Sequence, residues 1–202
     1  MDGREIEGVV GLDAPPLYRE VQRFKQWYFY IPILIVTVLV WYQFIQQIVL
    51  KHPLGEQPVP DWVAWALGLV FGIGFPLFAA VARMITEVHP GVLRVRVYPF
   101  RWVKILLSDI RGAEPRQYSA LREYGGWGIR TSLKNGRAYN ASGNRGIQLV
   151  MSDGRRVLIG TQQPDQLMAA LLTARGSVRS KKVKRERTGA RERTGTGERT
   201  GA

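Results

Sequence analysis

Hydrophobic and polar positions follow two different rhythms along this chain, and the change falls near residue 84. Before it lie two long uncharged runs. From Trp27 to Leu50, WYFYIPILIVTVLVWYQFIQQIVL holds no charged side chain, and from Trp62 to Ala82, WVAWALGLVFGIGFPLFAAVA, again none does. At about 1.5 Å per residue, each run can cross a hydrocarbon core of roughly 30 Å. The pattern predicts transmembrane helices over 27–50 and 62–82, joined by a short, Pro-rich external loop at 51–61. A cleaved signal peptide fits the first run poorly, because 26 residues with five acids precede it and no small-x-small site follows.

Within the preceding segment 1–26, LYREVQRFKQWYF spaces Tyr18, Val21, Phe24 and Tyr28 three or four residues apart, with Arg19, Arg23 and Lys25 off that stripe. This reads as a juxtamembrane amphipathic segment on an anionic leaflet, or equally as a helical extension of the first span. Neither span contains an acid, Lys, Arg or His, so the hairpin reads as an anchor rather than a transport pathway. Ala64, Gly68 and Gly72 form a small-xxx-small stripe on the second span. Such a stripe lets a partner backbone come close: the first span or, in a homo-oligomer, a second copy. Pro76 is expected to kink that span.

After residue 84 the period drops to two. In GVLRVRVYPF, Leu93, Val95 and Val97 alternate with Arg94, Arg96 and Tyr98. RWVKILL, SDIRGAEPRQY, GWGIRTSL, GRAYNAS, GIQLVMSDG and RRVLIGTQ continue the series, with Pro115 marking an edge or bulged strand. Asn135-Gly136 and Asp153-Gly154 punctuate it, and the second is the clearest hairpin signal in the chain. QPDQLMAALLTAR then turns helical, with Leu167, Ala170, Leu171 and Ala174 on one stripe and Pro164 suited to the first turn. The expectation for 84–175 is an all-β barrel of about seven antiparallel strands closed by a C-terminal helix.

Paired spans followed in order by LLSDIRGAE (106–114), REYGGWGIR (122–130) and AYNASGNRGIQLVMSDGRRVLIGTQQPDQL (138–167) resemble the membrane-anchored bacterial and archaeal proteins with a pleckstrin-homology-like (PH-like) domain. That family has no assigned activity. The resemblance runs from about Thr86 to Ala174, leaves out the tail, and implies a fold and a membrane location. It carries over no catalytic residue.

Charge adds an orientation. The chain of 202 residues has a formal net charge of +13, and almost all of it lies beyond Ala82. Arg19, Arg23 and Lys25 precede the first span, Arg83, Arg94 and Arg96 follow the second, and the loop between holds only Lys51. By the positive-inside bias both termini lie in the cytoplasm, in a multi-pass cytoplasmic-membrane protein. Residues 176–202 form a basic tail, including Arg179, Lys181, Lys182, Lys184, Arg185 and Arg187. Its lack of apolar side chains predicts disorder, and its cations suit an anionic leaflet. They would also hold nucleic acid, without specificity.

Candidate chemistry is sparse. The GGWGIR stretch matches no phosphate-loop pattern and is followed by strand and turn, so its glycines read as backbone geometry. There is no cysteine, no histidine pair and no nucleophile motif, so no catalytic residue, metal site or cofactor is expected. Arg94, Arg96, Arg101 and Lys104 flank the first strand turn, where phosphoinositide-binding PH domains place basic side chains, and form the candidate anionic-headgroup site. The expected function is a non-catalytic binding or scaffolding module at the cytoplasmic membrane face, engaging proteins or anionic lipid headgroups. The alternatives are a membrane-tethered RNA or ribosome binder acting through the tail, and a membrane-bound enzyme with an unrecognised site.

Overall fold

The computed structural model describes residues 15–24, 26–52 and 59–177. The chain divides into two units, one made of residues up to 22 together with 84 onward, the other of 23–83.

The unit 23–83 is a pair of helices, each long and apolar enough to cross a membrane. α1 (Trp27–Phe44) widens into a π-type turn over Ile45–Val49. α2 (Asp61–Leu67) and α3 (Phe75–Val81) are joined by a π-type stretch, Gly68–Gly74. The irregularity has a cause. Pro76 brings no N–H, so a carbonyl about one turn earlier is left without its donor. The facing helix supplies replacements: Thr37 Oγ1 donates to Phe71 O at 3.2 Å, and Trp41 Nε1 donates to Gly72 O at 3.2 Å. Such contacts matter most in hydrocarbon, where no water is at hand for an orphaned carbonyl. Ala64, Gly68 and Gly72 are buried on the same side. A Cβ on Gly68 would lie 3.4 Å from the Phe44 ring, and one on Gly72 would lie 3.0 Å from the Trp41 indole nitrogen. The small stripe is what lets these two aromatics lie against the second helix. At the loop end, Gln47 Nε2 donates to Val59 O (2.6 Å) and Asp61 Oδ1 (2.9 Å).

The other unit holds two sheets. β1 (Tyr18–Arg23), β2 (Arg83–His89), β3 (Val92–Tyr98) and β4 (Val103–Leu106) form one in the order β1-β2-β3-β4. β5 (Ile110–Gln117), β6 (Gly128–Ser132), β7 (Gly136–Asn140), β8 (Arg145–Met151) and β9 (Arg156–Gly160) form the second in the order β5-β8-β9-β7-β6. The seven expected strands are all present as β3 to β9. They do not close into a barrel, and they are not all antiparallel, because β7 pairs with β9 in parallel. Two further strands, β1 and β2, flank the helical hairpin.

β1 corrects the juxtamembrane reading. Residues 18–23 are extended, with Tyr18, Glu20 and Gln22 buried and Arg19, Val21 and Arg23 exposed. The inward positions are the polar ones, so a hydrophobicity pattern registers Val21 on the wrong face and suggests a helical stripe. Leu17 N–H donates to Val88 O at 2.8 Å, setting the start of β1 beside the end of β2. The unit expected over 84–175 therefore also contains a strand from before the hairpin.

β5 takes the edge that Pro115 suggests, with a register shift between Ile110 and Gly112. A short helix, α4 (Ala120–Tyr124), follows β5. Ser119 caps it by accepting from Arg122 N, while Glu123 Oε1 accepts from Ser119 N at 2.8 Å, a reciprocal capping pair. Gly125 ends it in the left-handed region at φ 69°, which only glycine adopts without cost. The glycine-rich stretch is therefore a helix stop and a bend that brings Trp127 against Tyr118, Tyr124, Ala138 and Leu158. The final helix, α5 over 164–177, buries Leu167, Leu171 and Ala174.

Candidate functional site

Parallel pairing of β7 and β9 puts the starts of both strands at one end of the sheet. Arg137 stands opposite Val157 in that register. The turns that lead into the two strands read Lys134-Asn135-Gly136-Arg137 and Asp153-Gly154-Arg155-Arg156. Two basic turns far apart in sequence thus become neighbours. Gly136 makes the approach feasible, because a Cβ there would collide with the carbonyl oxygen of Arg156, and its φ of 76° suits glycine.

These turns, together with β4, line a cleft of about 780 Å³. Lys104, Lys134, Arg137, Arg155 and Arg156 line it, against a single acid, Asp109. Its apolar lining includes Ile105, Met151 and Val157, and Leu133 stands fully exposed beside it. The phenol of buried Tyr139 accepts a hydrogen bond from Arg137 Nη1 at 3.4 Å. Arg155 is held at 2.6 Å by Asp153, both well exposed. The Arg155 backbone N–H and guanidinium, both donating to Asp153, hold its carboxyl below the usual range. Among the described residues, five cations and one carboxylate, Asp109, line the cleft, which makes it cation-rich.

Of the four residues expected to bind a headgroup, only Lys104 lines this cleft. Arg94, which stands opposite Lys104 in the β3–β4 register, and Arg96 do not line the cleft and are already engaged. Arg94 Cζ lies 4.5 Å from the Trp102 ring centroid and its guanidinium 4.0 Å from Glu87. Arg96 sits 4.8 Å from the Tyr98 centroid and donates to Phe100 O at 2.8 Å. Glu87 also meets Arg19 at 3.3 Å and His89 at 3.5 Å, so that face carries its own counter-charge. Arg101 is exposed in the β3–β4 connection. The tail cations Arg179, Lys181, Lys182, Lys184, Arg185 and Arg187 lie outside the described residues. Lys134, Arg137, Arg155 and Arg156 went unremarked in the sequence because only the parallel pairing joins them. The signal available was a basic residue after each of two Gly-containing turns.

A second polar cluster ties the two sheets together. Buried Glu20 of β1 accepts from Thr161 Oγ1 (2.6 Å), Tyr18 Oη (2.8 Å) and the backbone N–H of Gln162 (2.9 Å). Gln22 Nε2 donates to Gly160 O at 2.9 Å. Three donors converge on the Glu20 carboxylate and a fourth bond ties β1 to β9, which marks this cluster as a structural clamp. Burial raises the Tyr18 phenol well above its ordinary value.

No curated protein matches the chain. Residues 12–178, which take in the helical hairpin and both sheets but end before the tail cations, match a family described as Family of unknown function (DUF6141), and the chain belongs to that family.

Proposed function

We propose that the protein is a membrane-anchored binding module. The hairpin crosses the cytoplasmic membrane twice and the β unit lies at its cytoplasmic face, engaging anionic headgroups or protein partners without catalysis. The observation that carries this reading is the pairing of β1 with β2. They are the strands on either side of the hairpin, so the chain leaves one folded unit and returns to it. Such a chain must cross a membrane an even number of times.

Exposure adds support. A core helix of a soluble protein buries its apolar side chains, whereas Leu34, Leu39, Leu69 and Leu77 are each about 60% exposed. Each helix runs 21 residues, about 31 Å at 1.5 Å per residue. Cleavage of the first helix as a signal would also separate β1 from its sheet. Orientation follows from the excess of Lys and Arg in the segments that flank the hairpin.

The native chain has no cysteine, which makes single-cysteine labelling clean. Ser152→Cys, in the exposed β8–β9 turn, is expected to react with a membrane-impermeant maleimide only in inverted vesicles. His52→Cys, in the inter-helix link, is expected to react in intact cells. Labelling of both from the same side would mean that the helices do not cross and would refute the reading.

A further inference from the structure

We infer that the cleft between β4 and the paired β6–β7 and β8–β9 turns is a binding site for a phosphate-bearing anion, a lipid headgroup or a soluble phosphorylated compound. This deepens the binding-module reading and rests on it for the membrane as one source of ligand. Five cationic residues from three segments line the same cleft with one carboxylate. Arg94 and Arg96, by contrast, already face Glu87 or aromatic rings. Like charges gathered around a concave surface raise the local potential and concentrate anions there.

The cleft suits phosphate in particular. Arg137 brings a planar fork of donors and Lys134 a point charge, the two side-chain types that hold phosphate oxygens. Thr131 adds a hydroxyl to the lining. Arg155 is tied only to exposed Asp153, an ion pair in solvent that an entering anion can exchange at little cost. Five cations exceed what Asp109 and Asp153 together neutralise, and the surplus fits a dianion or a pair of phosphates. A volume of about 780 Å³ takes a headgroup-sized ligand. Met151, Val157 and Leu133 offer apolar contact to whatever carries the phosphate.

The test uses the full-length chain in neutral detergent at physiological salt. It is titrated calorimetrically with inorganic pyrophosphate and with dihexanoyl phosphatidic acid below its micelle concentration. Dihexanoyl phosphatidylcholine serves as the zwitterionic control. In Lys134→Gln/Arg137→Gln, affinity for the phosphate probes is expected to fall about tenfold or more, because two charge-assisted contacts are lost. The charge-matched variant Arg111→Gln/Arg122→Gln, whose exposed side chains lie outside the cleft, is expected to stay within about twofold. Binding of pyrophosphate alone makes the ligand soluble, binding of phosphatidic acid alone makes it a lipid, and binding of both makes the phosphate the recognised element. The proposal is overturned if neither probe binds, if phosphatidylcholine binds equally, or if both double variants lose affinity alike. It is likewise overturned if Arg94→Gln/Arg96→Gln is the variant that abolishes binding. The maleimide pattern does not depend on any of these outcomes, so the site and the anchor fail separately.

Discussion

Replacing Glu20 with alanine tests whether β1 is clamped to the second sheet. The carboxylate accepts three hydrogen bonds, from Tyr18, Thr161 and the Gln162 backbone. Glu20 is 9% exposed, so water has little room to substitute. A bond to a charged group contributes about 1.5–3 kcal/mol net. The loss is less than three full bonds, because the Tyr18 and Thr161 hydroxyls lie 3.3 Å apart and can pair with each other. What remains is an orphaned Gln162 N–H and the loss of charge assistance, about 3–4 kcal/mol together. Glu20→Gln keeps an acceptor for Gln162 and offers an amide to hydroxyls that can rotate, so its cost is about 1 kcal/mol. At a few degrees per kcal/mol for a unit of this size, the melting temperature falls by about 10 °C for Ala and a few degrees for Gln. Thermal melts of the full-length protein in detergent give the global effect, and amide exchange at Gln162 and Leu17 gives the local one. A Glu20→Ala protein that melts within about 2 °C of wild type, with Gln162 still protected, would refute the clamp.

Trp41→Phe removes the donor to Gly72 O and is expected to destabilise the hairpin by about 1 kcal/mol; Pro76→Ala restores a donor on the same helix, so the Trp41 change should cost less in that background, as read in a double-mutant cycle. Gly154→Ala meets no atom within 4 Å and costs about 1–2 kcal/mol for its positive φ, whereas Gly136→Ala adds a collision with Arg156 O and costs more than 3 kcal/mol, compared by denaturation of the two variants. Burial raises the phenols of Tyr18, Tyr118 and Tyr124, Tyr118 from 10.0 to about 12. A raised folded-state pKa gives stability fully present below pH 10 and lost as pH climbs through about 12. Tyr118 alone contributes on the order of 2–3 kcal/mol. Tyrosinate absorbance near 295 nm, compared between wild type and Tyr118→Phe, should assign to Tyr118 a phenol that ionises late and together with loss of the fold; its ionisation near pH 10 in a folded protein would contradict the burial.

The strands legible in the sequence are those whose inward residues are apolar. β3 buries Leu93, Val95 and Val97, and β8 buries Ile147 and Leu149, so period two is written in hydrophobicity. β1 buries Tyr18, Glu20 and Gln22 instead, and its one aliphatic residue points outward. Its partners Thr161 and Gln162 lie some 140 residues away, beyond the reach of any local pattern. β2 buries Met84, Thr86 and Val88 but carries Ile85 on its other face and follows the apolar helix directly, which blurs its start. The cleft was illegible for a different reason. Asn135-Gly136 and Asp153-Gly154 are legible as turns, but a parallel pairing between strands that are not consecutive is a long-range fact. The helices of the hairpin were legible throughout, because length and absence of charge are local properties.

Insertion between two paired strands changes how the helical hairpin and the β unit depend on each other. A helix appended at a terminus can be removed with one cut, leaving a folded remainder. Here a cut after the hairpin discards β1, and with it the carboxylate that satisfies Thr161 and the Gln162 N–H. A fragment beginning at Met84 would therefore expose the side of β2 that β1 covers and leave buried donors unmatched. The same arrangement shows how to separate the two cleanly. The start of β1 lies beside the end of β2, so Arg23 and Arg83 are at the same end of the strand pair. A short turn joining them would retain all nine strands and dispense with the helices. The β unit and the hairpin are thus two compact units interleaved in sequence.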